Sequence, residues 1–219
     1  MRYPKLIVML THHDVTVPDA KQIFLSAKDA PADLWGFKNV GLPRNEIEEL
    51  VQIMKAAGKT TFLESVAYTE EDGLESARIA GECGFDYLLG ANYYPSIQKA
   101  AESYGLKYMP FVGKRSNHLL YGTIEEIVDH ARQVRANGTY GINLSGFRYV
   151  GDAPKLISEL VKAMDVPVSV VGSIDSFEKL DLIKQAGPSM FTIGGAFFEH
   201  KFGDSFAEQI SVVENYMRK

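Results

Sequence analysis

The sequence predicts a single (β/α)8 barrel, an α/β fold, spanning residues 1–219. Short β-rich runs alternate with longer helical segments eight times along the chain. The strand runs are apolar on both faces, which is typical of parallel strands covered by helices. No linker or low-complexity stretch interrupts the series. Eight units in one domain favour a closed barrel, with a doubly wound open sheet as the alternative.

Length and composition agree with one globular domain. The chain has 219 residues, close to the ~200–250 that form one barrel, and a formal net charge of −5. Lysine and arginine do not cluster as nucleic-acid binding requires, so we expect no nucleic-acid partner. The first apolar run is too short to cross a membrane, and we expect a cytoplasmic protein without membrane contact. The single cysteine, Cys83, excludes an intramolecular disulfide and a cysteine zinc site.

The first four units carry local start and stop signals. Pro43 and Asn45 favour a helix start and Gly58 a helix end. Thr69 opens a Thr-Glu-Glu-Asp run that resembles a capping box. The predicted strands are 6–11, 34–40, 60–66 and 87–92, and the predicted helices are 18–30, 44–57, 69–84 and 95–104.

The last four units repeat the pattern after a longer loop, predicted over 113–122. Thr123 and Ser176 are capping residues, and Gly138 and Gly187 are stop signals. The predicted strands are 107–112, 140–145, 167–171 and 190–194. The predicted helices are 123–138, 153–164, 176–187 and 206–216, with a short helix at 196–199.

Polar side chains near the strand ends predict a pocket, because barrel active sites lie at the C-terminal mouth. Side chains alternate between the lumen and the helix layer. In strand two Trp35 and Phe37 therefore face the helices, and Lys38 faces the mouth. The same alternation on the other strands predicts one ring of polar residues, formed by Lys38, Glu64, Asn92, Lys114, Asn143 and Ser145.

A lysine beside a glutamate in a barrel permits two kinds of chemistry without a metal or cofactor. Lys38 or Lys114 could form a Schiff base with a ketone, with Glu64 moving protons, as in an aldolase. Alternatively, Glu64 acts as a general base and a lysine stabilises an enediolate, as in an isomerase or epimerase. A salt bridge between Lys38 and Glu64 that only fills the barrel is the structural alternative.

Glycines follow strands seven and eight, one in Val-Val-Gly-Ser-Ile (170–174) and a pair in Phe-Thr-Ile-Gly-Gly-Ala-Phe-Phe (191–198). Glycines let backbone N–H groups approach an anion. This arrangement resembles the ribulose-phosphate-binding barrel superfamily of sugar-phosphate isomerases, epimerases and small aldolases. The resemblance covers the last third of the chain and implies a small phosphorylated metabolite as the ligand. It implies phosphate contacts at Gly172, Ser173, Gly194 and Gly195.

The chain departs from individual members of that superfamily. The aspartate pair of the histidine-pathway isomerase and the metal ligands of ribulose-phosphate epimerase have no counterparts here, so the reaction does not carry over. We expect His13 to bind substrate, with Asp14 orienting it as a base, and only one of His12 and His13 to face the mouth. His118 lies in the loop after strand five, where a lid could close.

A different class of function stays open at this point. The same barrel could bind a phosphorylated ligand or a flavin phosphate as a sensor or carrier, because fold does not fix function. Aromatic residues on the outer helices, such as Phe24, Phe206 and Tyr216, leave a homodimer open as well. Packing of these helices on the barrel explains the same residues.

Overall fold

A computed structural model describes residues 3–219 and contains one closed barrel of eight parallel strands. Each strand pairs with its neighbours in the sequence, and the last pairs with the first. The closed (β/α)8 barrel is therefore confirmed. The strands are β1 Lys5–Met9, β2 Leu34–Lys38, β3 Thr60–Ser65, β4 Tyr87–Asn92, β5 Lys107–Phe111, β6 Ile142–Leu144, β7 Val168–Val170 and β8 Met190–Ile193.

Nine helices accompany the strands in the described part of the chain. The predicted start signals hold, since Thr69 and Ser176 accept cap hydrogen bonds and Thr123 forms a full capping box. No helix in residues 3–219 combines the length and apolar character that a membrane crossing needs. The helices are α1 Ala20–Ala27, α2 Arg44–Ala56, α3 Glu70–Cys83, α4 Pro95–Ser103, α5 Ile124–Ala136, α6 Ala153–Ala163, α7 Phe177–Ala186, α8 Gly195–Phe198 and α9 Phe206–Arg218.

Two antiparallel hairpins at the mouth correct the predicted element list. The β1 hairpin pairs Thr11–His12 with Val15–Thr16, where the sequence predicted a longer first strand. The β5 hairpin pairs Lys114–Ser116 with Leu119–Tyr121, where the sequence predicted an irregular loop. Both two-residue tips, His13-Asp14 and Asn117-His118, have positive φ at each position. That is the backbone of a type I′ turn, which matches the twist of paired strands.

The barrel has two apolar layers, as the strand alternation predicted. Trp35 and Phe37 pack outward in the large core between strands and helices. Inward side chains near the N-terminal ends of the strands fill the lumen, including Phe62 stacked on Tyr87 with ring centroids 4.3 Å apart. Above this apolar floor the inward positions become polar, at Lys38 and Glu64. The floor closes the barrel below, so a ligand can enter only from the C-terminal mouth.

A bulge in β4 changes one predicted side-chain direction. Gly90 and Ala91 both have positive φ, 82° and 55°, and the pairing with β5 shifts between Leu89 and Asn92. A Cβ on Gly90 would lie 2.5 Å from the carbonyl oxygen of Ser65, so the position requires glycine. The simple alternation that predicted Asn92 in the polar ring therefore does not apply beyond Leu89.

We predict that Gly36→Ala destabilises the barrel, because an added Cβ would lie 2.7 Å from the carbonyl oxygen of Phe62 and 2.9 Å from its Cβ. Overpacking of this kind costs about 1–3 kcal/mol of unfolding free energy. Gly195→Ala is the matched control, because its nearest neighbour, a carbon of His12, is 3.6 Å away. Urea unfolding measures both, and equal losses would contradict the close packing of β2 on β3.

Candidate functional site

The candidate site is a cavity of about 320 Å³ at the C-terminal mouth. The ends of barrel strands, the segments that follow them and both hairpins form its wall. Its lining includes Thr11, His12, His13, Asp14, Lys38, Glu64, Tyr68, Phe111, Arg115, His118, Ser145, Arg148, Gly172, Ser173, Asp175, Thr192, Gly194, Gly195 and Glu199.

Asp14, at the tip of the β1 hairpin, joins two cations across the mouth. Its Oδ1 accepts hydrogen bonds from Lys38 Nζ at 2.6 Å and from Arg148 Nη2 at 3.0 Å. Its Oδ2 lies 3.6 Å from Nδ1 of His118, at the tip of the β5 hairpin. Burial opposes ionisation, but the hydrogen bonds and charges of Arg148 and Lys38 outweigh it and hold the pKa of Asp14 well below its usual range.

Lys38 and Glu64, both predicted to lie in the pocket, form the buried ion pair that the sequence analysis named as the structural alternative to a catalytic role. Lys38 Nζ lies 3.7 Å from Oε2 of Glu64, and both residues are less than a tenth exposed. The Thr16 hydroxyl accepts from the Lys38 N–H at 2.9 Å and donates to the Lys38 carbonyl at 2.8 Å. The β1 hairpin thus fixes the backbone of β2 where its lysine enters the cavity.

The glycine turns after β7 and β8 lie together on one side of the cavity. Gly172 and Ser173 both have positive φ, 90° and 56°, and a left-handed serine is a strained position that recurs at functional sites. Gly194 is packed tightly, since a Cβ there would lie 2.7 Å from the Thr11 carbonyl oxygen. At Gly195 no neighbour is that close, so protein packing alone does not require a glycine there.

Arg148 supplies a cation beside these turns. It ends the single 3₁₀ turn Gly146–Arg148 that follows β6. Its side chain passes over Gly172, where a Cβ would lie 2.9 Å from Arg148 Cγ. The nearby carboxylate of Asp175 is paired with Lys179 at 2.9 Å. The guanidinium, the exposed backbone and a neutralised carboxylate make this side of the cavity suitable for an anion.

Arg115 lies on the other side of the cavity, in the β5 hairpin. Its guanidinium carbon lies 3.7 Å from the ring centroid of Phe111 and 4.9 Å from that of Tyr68. Burial lowers the pKa of Arg115 to about 10, so it stays charged at neutral pH. The sequence analysis did not predict Arg115 or Arg148 as site residues. Alternation predicts side-chain directions only along a barrel strand, whereas Arg115 lies in the β5 hairpin and Arg148 in a 3₁₀ turn.

Three residues predicted for the polar ring do not line the cavity, namely Lys114, Asn92 and Asn143. Lys114 is exposed on the β5 hairpin, and Arg115 points inward in its place. The expected direction of Lys114 is wrong because Gly113 has a φ of 79° and turns the chain before the hairpin begins. Asn92 follows the β4 bulge and does not line the cavity itself, but it donates to the Tyr68 carbonyl and accepts from Arg115, which both do.

Asn143 faces the lumen, as the alternation on β6 predicted, but it lies below the cavity. It is fully buried, and neither its Oδ1 nor its Nδ2 has a hydrogen-bond partner within residues 3–219. The neighbouring Ser169 Oγ on β7 is also buried without a partner there. Ser145, two residues further along the β6 face, does line the cavity.

The histidines depart from the prediction in one respect. The sequence predicted that only one of His12 and His13 faces the mouth, yet both line the cavity, with ring centroids 3.8 Å apart. The type I′ turn brings both rings to the same side, which a regular strand would not do. Asp14 is engaged by Lys38 and Arg148, so it does not serve as the partner of His13.

Comparison with known proteins places this barrel among solved structures. No family model and no curated protein matches the sequence. Orotidine 5'-phosphate decarboxylase from Pyrococcus horikoshii OT3 is 14% identical over 98% of this chain and 99% of that chain, with a TM-score of 0.75. 3-Hexulose-6-phosphate synthase from Salmonella typhimurium is 14% identical over 98% of each chain, with a TM-score of 0.71. This chain shares its closed (β/α)8 barrel fold with both of these proteins.

The same fold also occurs in a regulator. A glycerol uptake operon antiterminator regulatory protein from Listeria monocytogenes is 12% identical over 86% of this chain and 90% of that chain, with a TM-score of 0.61. These comparisons confirm the (β/α)8 fold that the sequence predicted. Activity has to be argued from the site itself.

We predict that Asp14→Asn lowers the unfolding free energy by about 1–3 kcal/mol at pH 7, because Arg148 and Lys38 lose a shared anion. The wild-type contribution is fully present above the unfolded-state pKa of about 4 and is lost as the pH falls through the lower folded-state pKa. Denaturant unfolding at pH 7 and pH 3 should therefore show the difference between the two proteins shrinking on acidification. Asp29→Asn, on an exposed side chain, should be neutral, and a pH-independent difference would contradict the role of Asp14.

Proposed function

We propose that this protein is an enzyme that moves a proton on a small phosphorylated sugar or keto acid, as isomerases and epimerases do. The observation that carries the proposal is the buried pair of Lys38 and Glu64, 3.7 Å apart, in a cavity whose wall also carries Arg148 and the glycine turns after β7 and β8. A buried base next to a fixed cation suits abstraction of a proton beside a carbonyl group.

The substrate phosphate would bind between Arg148 and the glycine turns after β7 and β8. Arg148 and Lys38 share one oxygen of Asp14, so their nitrogens lie no further apart than the sum of those two hydrogen-bond lengths. A phosphate held by Arg148 would therefore leave the neighbouring carbons of a small sugar within reach of Lys38. The backbone at Gly172 and Gly195 would complete the phosphate contacts.

Glu64 is the proposed general base and Lys38 the proposed electrophile. The Glu64 carboxylate lies at the cavity wall, and within residues 3–219 Lys38 is the cation found within 4 Å of it. Glu64 would take the proton from carbon, and the Lys38 ammonium would stabilise the oxyanion of the resulting enediolate. Return of the proton to the other carbon or the other face would complete an isomerisation or an epimerisation.

Schiff-base aldolase chemistry has less support from this geometry. A nucleophilic lysine must be an uncharged amine, whereas Lys38 lies between the carboxylates of Asp14 and Glu64. Two carboxylates within 4 Å suit an ammonium group. The other lysine considered for this chemistry, Lys114, is exposed outside the cavity.

The first test is phosphate binding. Isothermal titration of sugar phosphates and inorganic phosphate should give saturable binding to the wild type. Arg148→Gln should raise the dissociation constant about ten- to a hundredfold, because that is the usual loss of affinity when a hydrogen bond to a charged group is removed. Arg132→Gln removes a cation that is paired on the exposed surface and should bind as the wild type does. If no phosphorylated compound binds, the proposal is wrong.

The second test is proton transfer to solvent. In D₂O the wild type should replace a carbon-bound hydrogen of a bound sugar phosphate with deuterium. The loss of that hydrogen's signal is measured by proton NMR. Glu64→Gln should slow this exchange about 10²–10⁴-fold, the usual contribution of a general base, while phosphate binding persists. Binding without exchange in the wild type would point instead to a sensor or carrier. Covalent trapping of a lysine by borohydride would point to an aldolase.

A further inference from the structure

Arg115 is a cavity cation that the proposed reaction does not use. Lys38 and Arg148 both meet Asp14, but within residues 3–219 no carboxylate lies within 4 Å of the Arg115 nitrogens. Glu64 acts on Arg115 only from a longer distance and already pairs with Lys38. A partly buried cation without an adjacent anion carries a desolvation cost, so its place in the wall calls for an explanation.

The surroundings of Arg115 hold its guanidinium in one orientation. The group stacks on Phe111 at 3.7 Å and on Tyr68 at 4.9 Å, measured to the ring centroids. Nη2 donates to the Asn92 side chain at 3.2 Å and to the Ala67 carbonyl at 3.4 Å. These contacts fix the plane of a group that has five N–H donors.

Those contacts do not use all of its hydrogen-bonding capacity. Nε has no partner within residues 3–219, but it is itself buried. Nη2 makes the two hydrogen bonds above, so Nη1 is the remaining donor of a side chain that lines the cavity. A fixed guanidinium with a free Nη1 at a cavity wall is suited to bind a planar or tetrahedral anion.

The position of Arg115 in the barrel separates it from the proposed phosphate site. Its partners Ala67 and Asn92 lie at the ends of β3 and β4, while the glycine turns follow β7 and β8. In an eight-stranded ring, β3 and β4 lie opposite β7 and β8. Lys38 and Glu64, at the ends of β2 and β3, line the same mouth.

We propose that Arg115 forms a second anion-binding subsite, and that the substrate carries an anionic group at the end remote from its phosphate. This inference rests on the proposed function and specifies its substrate class. The second group is a carboxylate, as in a phosphorylated sugar acid or keto acid, or a second phosphate. Substrate would then lie across the mouth with one charged end at each arginine and its middle carbons near the Lys38–Glu64 pair.

The experiment compares three six-carbon ligands by isothermal titration. Fructose 6-phosphate has one anionic group, 6-phosphogluconate adds a carboxylate, and fructose 1,6-bisphosphate adds a phosphate. Either 6-phosphogluconate or fructose 1,6-bisphosphate should bind the wild type about ten- to a hundredfold more tightly than fructose 6-phosphate does. That is the gain in affinity expected from an added charge-assisted hydrogen bond. The tighter of the two identifies the second group.

Variants assign the gain to Arg115. Arg115→Gln should abolish the gain and leave fructose 6-phosphate binding unchanged, while Arg115→Lys, which keeps the charge, should retain part of it. Lys114→Gln removes the exposed neighbouring cation of the same hairpin and is the matched control, with the gain intact. Thermal unfolding of each variant verifies that it is folded at the assay temperature.

The outcomes separate this inference from the proposed function. If fructose 6-phosphate binds through Arg148 but neither ligand with a second anionic group binds more tightly, the second subsite is wrong and the proposed function stands. If the gain persists in Arg115→Gln, or if that variant weakens all three ligands equally, the assignment to Arg115 is also wrong. If inorganic phosphate binds the wild type but none of the three sugar phosphates does, this inference is wrong and the proposed phosphate site stands. If neither inorganic phosphate nor any sugar phosphate binds, the proposed function fails and this inference fails with it.

Discussion

The mouth of this barrel is organised around one carboxylate oxygen, Oδ1 of Asp14, which accepts hydrogen bonds from both Lys38 and Arg148. The hairpin that carries Asp14 is itself tied to β2, because the Thr16 hydroxyl bonds both backbone groups of Lys38. One short hairpin therefore sets the backbone of the lysine and the position of its counter-ion. Without Asp14, two cations would face each other across a partly buried cavity at an electrostatic cost.

The same arrangement relates the two ends of the proposed substrate site. Asp14 holds Arg148 close to Lys38, so a phosphate anchor and an electrophile lie within a few hydrogen-bond lengths of each other. Glu64 also lies beside Lys38, at 3.7 Å. Arg115, packed on Phe111 and bonded to the end of β4, lies on the far side of the mouth. The proposed substrate, with two anionic groups, would meet a cation at each end and the Lys38–Glu64 pair in the middle.

The fold was predictable because its signals are local and repeated. Alternation on β2 and β6 and caps such as Thr123 gave the barrel layers and the helix starts correctly. The β4 bulge was not predictable from alternation, because it depends on Gly90 approaching the Ser65 carbonyl oxygen. The pairing of Lys38 with Glu64 followed from neighbouring strands in register. Arg115 and Arg148 were missed because a hairpin and a 3₁₀ turn, which alternation does not describe, aim them inward.

The most direct test of the account is a crystal structure of the protein grown with inorganic phosphate and then soaked with arsenate, whose anomalous signal locates the anion. The account predicts an oxyanion in contact with Arg148 and the backbone at Gly172 and Gly195, with Lys38 still beside Glu64. Weaker density at Arg115 would be consistent with a second subsite. A cavity without an ordered anion at Arg148, under conditions where phosphate is in excess, would contradict the account.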